Sequence, residues 1–214
     1  MTYHTFDDMR REYSAGELDE RDLAGDWPTQ FGRWLADCAA AGLPEPNAMV
    51  LATADAAGRP SARTVLLKGY DETGFVFFTN YGSRKGRELD ANPRAAATLY
   101  WQPLYRAARL EGPVERLTAE ESDAYFATRP RGAQLGAWAS AQGTVIGDRE
   151  ELEQRVREMD GRFPGDVPRP DYWGGYRLRP DAVELWQGRP DRLHDREHFL
   201  LQPDGTWRAE RLSP

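Results

Sequence analysis

Several residue types are scarce in this sequence, and each shortage excludes something. One cysteine, Cys38, stands in 214 residues, so an intrachain disulfide and a cysteine-based zinc site are both impossible. The three histidines are His4, His194 and His198. The last two are four apart, but no HExxH pattern surrounds them, and no metal centre is expected. No run of about 18 apolar residues occurs, which argues against a membrane-spanning helix. The opening MTYHTFDDMRREY is polar and charged and does not read as a secretory signal. A soluble, cytoplasmic protein is expected. No GxGxxG follows a strand-like segment, and there is no internal repeat. Positive charge is also in deficit, with 28 basic against 35 acidic residues and a net charge of −7. Non-specific nucleic-acid binding depends on phosphate neutralisation, so such a partner is not expected. Lysine is the scarcest cation: of the 28 basic residues only Lys68 and Lys85 are lysines. The arginine excess reads as codon bias, but the places of the two lysines are a separate matter.

What is present organises into an arm and one domain. Residues 1–27 are polar and rich in Arg, Asp and Glu, and read as a mobile N-terminal arm; residues 28–214 read as a single domain. Over 27–41 the apolar Phe31, Trp34, Leu35 and Cys38 recur at helical spacing, and Pro44 and Pro46 end that helix. Strands are expected at 48–52, 61–68 and 75–80, joined by the turns at 55–58 and 71–74. A short helix follows from Ser83, then strands at 95–101 and 105–116. Thr118 and Glu121 form a capping-box signature, and Asp148 with Glu151 marks another helix start. Strands return at 173–178, 182–186, 197–201 and 207–212. Short turns rather than helical crossovers connect them, so the fold class is α+β, mainly antiparallel β with added helices.

Three segments concentrate chemistry. In the first, Arg63 and Lys68 flank a strand, and Thr79 leads through Ser83, Arg84 and Lys85 into a helix start. Ser83 can cap that helix and leave other amides for an anion, with a guanidinium and an ammonium beside them. An ordinary capped helix with solvated cations fits the same spacing. In a regular strand Arg63 and Lys68 fall on opposite faces. A shared ligand then requires a bulge, a strand end or a subunit boundary. The second segment ends a helix with Tyr125, Arg129 and Arg131, which dipole pairing alone could explain. In the third, alternation places Arg192, His194 and Arg196 on one face of an extended segment. Three such groups side by side repel unless an anion or carboxylate lies among them.

Taken together and in order, RTVLLK (63–68), TNYGSRKG (79–86), RPRGAQLGAWAS (129–140), YWGGYRL (172–178) and ELWQGRPDRLHDR (184–196) resemble the pyridoxamine/pyridoxine 5′-phosphate oxidase family. The resemblance runs from Arg10 to the C-terminus. It implies a six-stranded split β-barrel with surrounding helices, in a homodimer with FMN at the subunit interface and the C-terminal strands in dimerisation. It implies an FMN site built from Arg63, Thr64, Val65, Leu66 and Lys68, from Phe78, Thr79, Ser83, Arg84 and Lys85, and from Gln142, Trp186 and Arg196. Lys68, Tyr125 and Arg129 would bind the substrate phosphate. Arg192 and His194 would flank the pyridine ring and support proton movement as the catalytic pair. Arg10 and Tyr13 match a segment that can cover the site as a lid. The implied reaction oxidises the C4′ amine or alcohol of a phosphorylated B6 vitamer to the aldehyde, with O2 reduced to H2O2. Ala107, Ala133 and Gly143 stand where the family usually has Gln, Ser and Ser. Each lacks a hydrogen-bonding side chain, worth about 0.5–1.5 kcal/mol. These departures keep two other readings open: a phenazine-type flavin oxidase acting on another ring, and a non-catalytic module that binds flavin or pyridoxal phosphate.

Overall fold

A computed structural model of the chain describes Tyr13, Leu18 and residues 23–214. Arg10 and most of the expected arm lie outside the described residues. Two compact units are present: one of residues 48–97 and 111–180, the other of the described residues up to 47 with 98–110 and 181–214.

The first unit is built on hairpins. β1 (Ala48–Ala54) and β2 (Pro60–Asp71) pair antiparallel from Ala48↔Leu66 to Ala54↔Pro60. β3 (Gly74–Asn80) returns along β2 and pairs on its other side with β6 (Trp173–Leu178), from Phe75↔Leu178 to Asn80↔Trp173. The turn into β3 needs glycine: Gly74 has φ +141°, and a Cβ there would lie 2.2 Å from the Leu178 carbonyl oxygen. The end of β5 (Arg106–Arg116) pairs with β6 from Val114↔Leu178 to Arg116↔Tyr176. Phe75, Phe77, Leu51 and Leu178 are wholly buried, each contributing roughly 1.5–3 kcal/mol. α2 (Arg84–Ala91) begins at Ser83, whose hydroxyl accepts from the Gly86 amide at 3.4 Å. β4 (Arg94–Trp101) follows. α3 (Ala119–Ala127) opens on the full Thr118–Glu121 capping box, and α5 (Arg149–Arg162) on Asp148.

Between α3 and α5 lies a helix that the sequence reading left out, α4 (Arg131–Ala139). Its N-cap is Pro130, which makes no side-chain cap hydrogen bond, and Gly132 and Gly136 interrupt it. Those residues conceal a helix from propensity. Tertiary bonds hold it: the Trp138 indole donates to the Pro168 carbonyl at 2.7 Å, and Arg131 Nη2 reaches Asp160 on α5 at 2.7 Å.

In the second unit, α1 (Trp27–Ala40) starts at Asp26, whose carboxylate accepts from the Thr29 amide at 2.8 Å. Its buried stripe of Phe31 and Trp34 packs on Trp101, with ring centroids 6.0 and 6.2 Å apart. β7 (Ala182–Gln187), β8 (Asp195–Leu201) and β9 (Trp207–Arg211) form an antiparallel meander. One expectation fails here. Residues 190–192 form a 3₁₀ turn, Asp191 and Arg192 have φ of +54° and +64°, and β8 begins only at Asp195. The extended segment that would set Arg192, His194 and Arg196 on one face does not exist. Alternation had mimicked a strand where left-handed backbone makes a turn.

Candidate functional site

β2 changes partner along its length. Residues 60–66 pair with β1, and from Leu67 onward the strand pairs with β3. The register shifts between Leu67 and Gly69, which leaves Lys68 as the extra residue of a bulge. Of the three ways for Arg63 and Lys68 to share a ligand, the bulge is the one found: both line a single cavity of ≈ 890 Å³. The pairing of β2 with β3 stops at Leu67↔Phe77, while β3 continues to Asn80 against β6. Thr64, Val65 and Leu66 line the cavity from β2; Phe78, Thr79 and Asn80 line it from β3. Gly175 on β6 makes room for the Phe78 ring, since a Cβ there would lie 2.8 Å from Phe78 Cε1. The volume falls within the range of about 300–1,000 Å³ usual for small-molecule sites.

At the β2–α2 end of the cavity the charges are tied down. Arg63 Nη1 donates to Thr53 Oγ1 at 2.6 Å and to the Leu51 and Ser61 carbonyls, and Nη2 reaches Ser61 Oγ and Glu88 Oε2. Glu88, 5% exposed, also accepts from Thr53 and Ser61 hydroxyls and, through Oε1, from Arg84 Nε at 2.7 Å. Burial alone would raise the Glu88 carboxyl; the hydrogen bonds from Ser61, Thr53, Arg84 and Arg63 more than offset it and hold it at about 2. Arg84 itself is exposed, and neither it nor the buried Ser83 lines the cavity. Lys85 does. Only 6% exposed, it donates to Thr79 Oγ1 at 3.0 Å and to Ser83 Oγ and Gln142 Oε1 at 3.3 Å. These acceptors are neutral. Burial, with Arg63 nearby, pushes the ammonium down to about 8. A buried cation among neutral acceptors in a cavity wall suits an anionic or oxygen-rich ligand.

Another part of the lining is aromatic. Phe78, Tyr125 and Trp173 lie nearly parallel, with Phe78–Tyr125 centroids 3.8 Å apart and Phe78–Trp173 5.5 Å apart. Arg129 joins this part, its guanidinium carbon 4.5 Å over the Trp173 ring. Its Nη1 is buried and has no hydrogen-bond partner, and burial lowers its affinity for its proton. Ala133, Gly136 and Ala137 form a small-residue face of α4 toward the cavity. Among the described residues four cations, Arg63, Lys68, Lys85 and Arg129, line this cavity, and no carboxylate does. The donor set therefore fits a phosphorylated cofactor and a phosphorylated substrate.

The remaining expected residues form a separate group in the second unit. Trp186 and His194 have centroids 4.6 Å apart, Tyr13 lies 5.6 Å from His194, and the Arg192 guanidinium sits 4.9 Å over the Tyr13 ring. His194 Nδ1 accepts the Arg189 amide at 3.1 Å, so the neutral ring carries its proton on Nε2. Burial and the Arg192 charge hold this imidazole below its ordinary value, against the pull of Asp195. Arg196 pairs across β7–β8 with Trp186 and grips Glu184 with Nε and Nη2, both at 2.9 Å. Two residues went without a role in the sequence. Glu88 carries a weak signal, its i,i+4 spacing from Arg84. Trp173 is marked in the sequence only as part of the YWGGYRL motif (172–178), with no role of its own.

The comparisons with known proteins agree on one family. Residues 35–163 match the family described as "Pyridoxamine 5'-phosphate oxidase", and residues 173–214 match "Pyridoxine 5'-phosphate oxidase C-terminal dimerisation region". The chain is 58% identical to a "Pyridoxine/pyridoxamine 5'-phosphate oxidase" of Cupriavidus necator, over 97% of this chain and 98% of that one. It is 59% identical to the protein of the same name from Rubrobacter xylanophilus, over 96% and 95%. Among solved structures it is similar to PhzG from Burkholderia lata 383 in complex with tetrahydrophenazine-1-carboxylic acid. That likeness has a TM-score of 0.88 and 31% identity and covers 95% of this chain and all of the other.

Proposed function

The chain belongs to the pyridoxamine 5′-phosphate oxidase family, and from that premise we propose that it is an FMN-dependent homodimer that oxidises pyridoxamine or pyridoxine 5′-phosphate to pyridoxal 5′-phosphate, reducing O2 to H2O2. It has that family's fold, a six-stranded antiparallel split β-barrel with five helices. One observation carries the reading. A protein of net charge −7 gathers, among its described residues, four cations and no carboxylate around one cavity, a lining that suits two phosphate groups.

FMN, when bound, supplies the hydride acceptor for C4′ and the electrons for O2. The chain's part is to bind and orient. Arg63 and Lys85 hold the anionic end of the cofactor, with Thr64, Val65, Leu66 and Phe78 as wall and Thr79 and Gln142 as polar contacts. Ser83 and Arg84 act from behind, through the α2 cap and through Glu88. Lys68, Tyr125 and Arg129 hold the substrate phosphate, which fixes C4′ in place and converts an encounter into a unimolecular step. Arg192 and His194 flank the pyridine ring, His194 offering its Nε2 proton as a donor. Trp186 and Arg196 complete the flavin site. Glu184 does not exhaust the five donors of the Arg196 guanidinium. Arg10 and Tyr13 belong to a covering arm. The dimer reading rests on the C-terminal match, and the domain reading remains an arm of 1–27 with one functional domain over 28–214.

A phenazine-type reading draws support from Ala133, a small residue in the cavity wall where the family usually has Ser. The retained Lys68, Tyr125 and Arg129 weigh against it. The test is an anaerobic titration of the purified yellow protein. Pyridoxamine 5′-phosphate is expected to bleach the flavin absorbance, and air to restore it with release of pyridoxal 5′-phosphate. A flavin that stays oxidised with both phosphorylated vitamers refutes the assignment.

A further inference from the structure

Several arginines of this molecule, site residues among them, are anchored by carboxylates. Arg63 and Arg84 share Glu88, Arg196 and Arg109 share Glu184, Arg116 takes Asp90, and Arg177 takes Asp71. Arg129 is different. Among the described residues no carboxylate and no hydrogen-bond acceptor meets its guanidinium, and Nη1 is buried without a partner. What it does meet is two ring faces, Trp173 at 4.5 Å and Phe126 at 5.5 Å.

We propose that Trp173 is the positioning residue of the substrate-phosphate subsite, holding the Arg129 guanidinium on its indole face so that charge and donors remain free for the ligand. The inference rests on the reading that Arg129 binds the substrate phosphate. The physical reason lies in what a ring face does and does not take. It attracts a cation through its quadrupole but accepts no in-plane N–H and cancels no charge. A carboxylate in the same place would orient the guanidinium equally well and would then compete with phosphate for the same fork. An unheld arginine would lose rotamer freedom on binding instead. Trp173 is well placed to serve as a fixed surface. It is 7% exposed, its amide donates to the Pro170 carbonyl at 2.9 Å, and its carbonyl accepts from Arg169 Nη1 at 2.7 Å. Its ring lies 5.1 Å from Phe126 in a T-shaped contact. Tyr125, nearly parallel to it at 6.2 Å, belongs to the same stack, so one aromatic wall sets two of the three phosphate ligands.

The test is a double-mutant cycle on the flavin-loaded enzyme with Arg129→Ala, Trp173→Met, Trp173→Phe and Arg129→Ala/Trp173→Met. KM and kcat for pyridoxamine 5′-phosphate are read together with the inhibition constant of inorganic phosphate and the thermal midpoint. Trp173→Met keeps bulk and loses the ring face. It is expected to raise KM and the phosphate inhibition constant about tenfold, with a much smaller effect on kcat. Trp173→Phe is expected to recover most of that loss. The double variant is expected to be no worse than Arg129→Ala, because Trp173 acts through Arg129. Independent, additive losses in the double variant, or equal losses for Phe and Met, overturn the inference and leave a packing role. If Arg129→Ala itself leaves KM and phosphate inhibition at parental values, the phosphate-binding reading fails first and the inference with it. If Trp173→Met does not fold, Trp173→Phe decides alone: a parental thermal midpoint with unrecovered phosphate inhibition refutes the proposal.

Discussion

The two arginines of the cavity lining are held in opposite ways. Arg63 is anchored through both Nη groups by Thr53, Ser61, the Leu51 carbonyl and Glu88. Arg129 leans on two rings and keeps a buried nitrogen without a partner. The first arrangement is stable with or without a ligand and suits a group that stays bound. The second leaves desolvated charge uncompensated, a cost that phosphate relieves each time it arrives, and it suits a ligand that comes and goes. On the proposed function, the residues assigned to the cofactor and those assigned to the substrate differ in how many of their donors the protein itself has used.

This contrast can be broken at its strong end. Replacing Glu88 by Ala leaves Arg63 as a mostly buried charge without its counter-ion, and urea unfolding is expected to show a loss of about 3–5 kcal/mol. Glu88→Gln, which keeps hydrogen bonding to the two hydroxyls, is expected to lose less. A parental unfolding midpoint for Glu88→Ala shows that the network does not hold this end. Lys85 gives a smaller, pH-dependent effect. Its folded value of about 8 lies below the ordinary 10.5, so between those values the unfolded chain binds more protons than the folded one. Stability of the ligand-free protein is then expected to rise from pH 8 toward pH 10.5, by on the order of 1–3 kcal/mol. Anion binding is expected to weaken over the start of the same interval. Lys85→Met flattens both profiles if Lys85 is their source, and a rise that survives the substitution assigns it elsewhere. The smallest effect tests the weak end. Ala133→Ser puts a hydroxyl back into the Arg129 side of the cavity and is expected to lower KM for the phosphorylated vitamer by roughly two- to tenfold. An unchanged KM places Ala133 outside the phosphate subsite.

Much of this was legible in the chain because the signals are local. The α1 stripe, the Ser83 cap, the Thr118–Glu121 box and the hairpin turns each lie within a few residues, and the structure places all of them where the sequence put them. The four cavity cations were legible as ordered motifs. What was hidden depends on contacts distant in sequence. Glu88 looks like half of a surface i,i+4 pair until Thr53 and Ser61, 35 and 27 residues away, are folded onto it. α4 needs Pro168 and Asp160 to outweigh its two glycines. The stretch from Arg192 to Arg196 read as one extended segment because side-chain alternation carries no record of the sign of φ. Even so, the parity conflict between Arg63 and Lys68 correctly pointed to a bulge as one of its resolutions.

The interrupted pairing of β2 with β3 has a consequence for the life of the protein rather than for its chemistry. Past Leu67 residues of both strands line the cavity, and a ligand seated there binds the folded chain only. By mass action a ligand at a hundred times its dissociation constant adds about 2.7 kcal/mol to folding, a large part of the 5–15 kcal/mol that holds a typical domain together. On the proposed function the ligand is flavin, and its supply would then govern how long each molecule resists unfolding and proteolysis, so that the amount of enzyme in a cell would follow the availability of its cofactor before any regulation of synthesis.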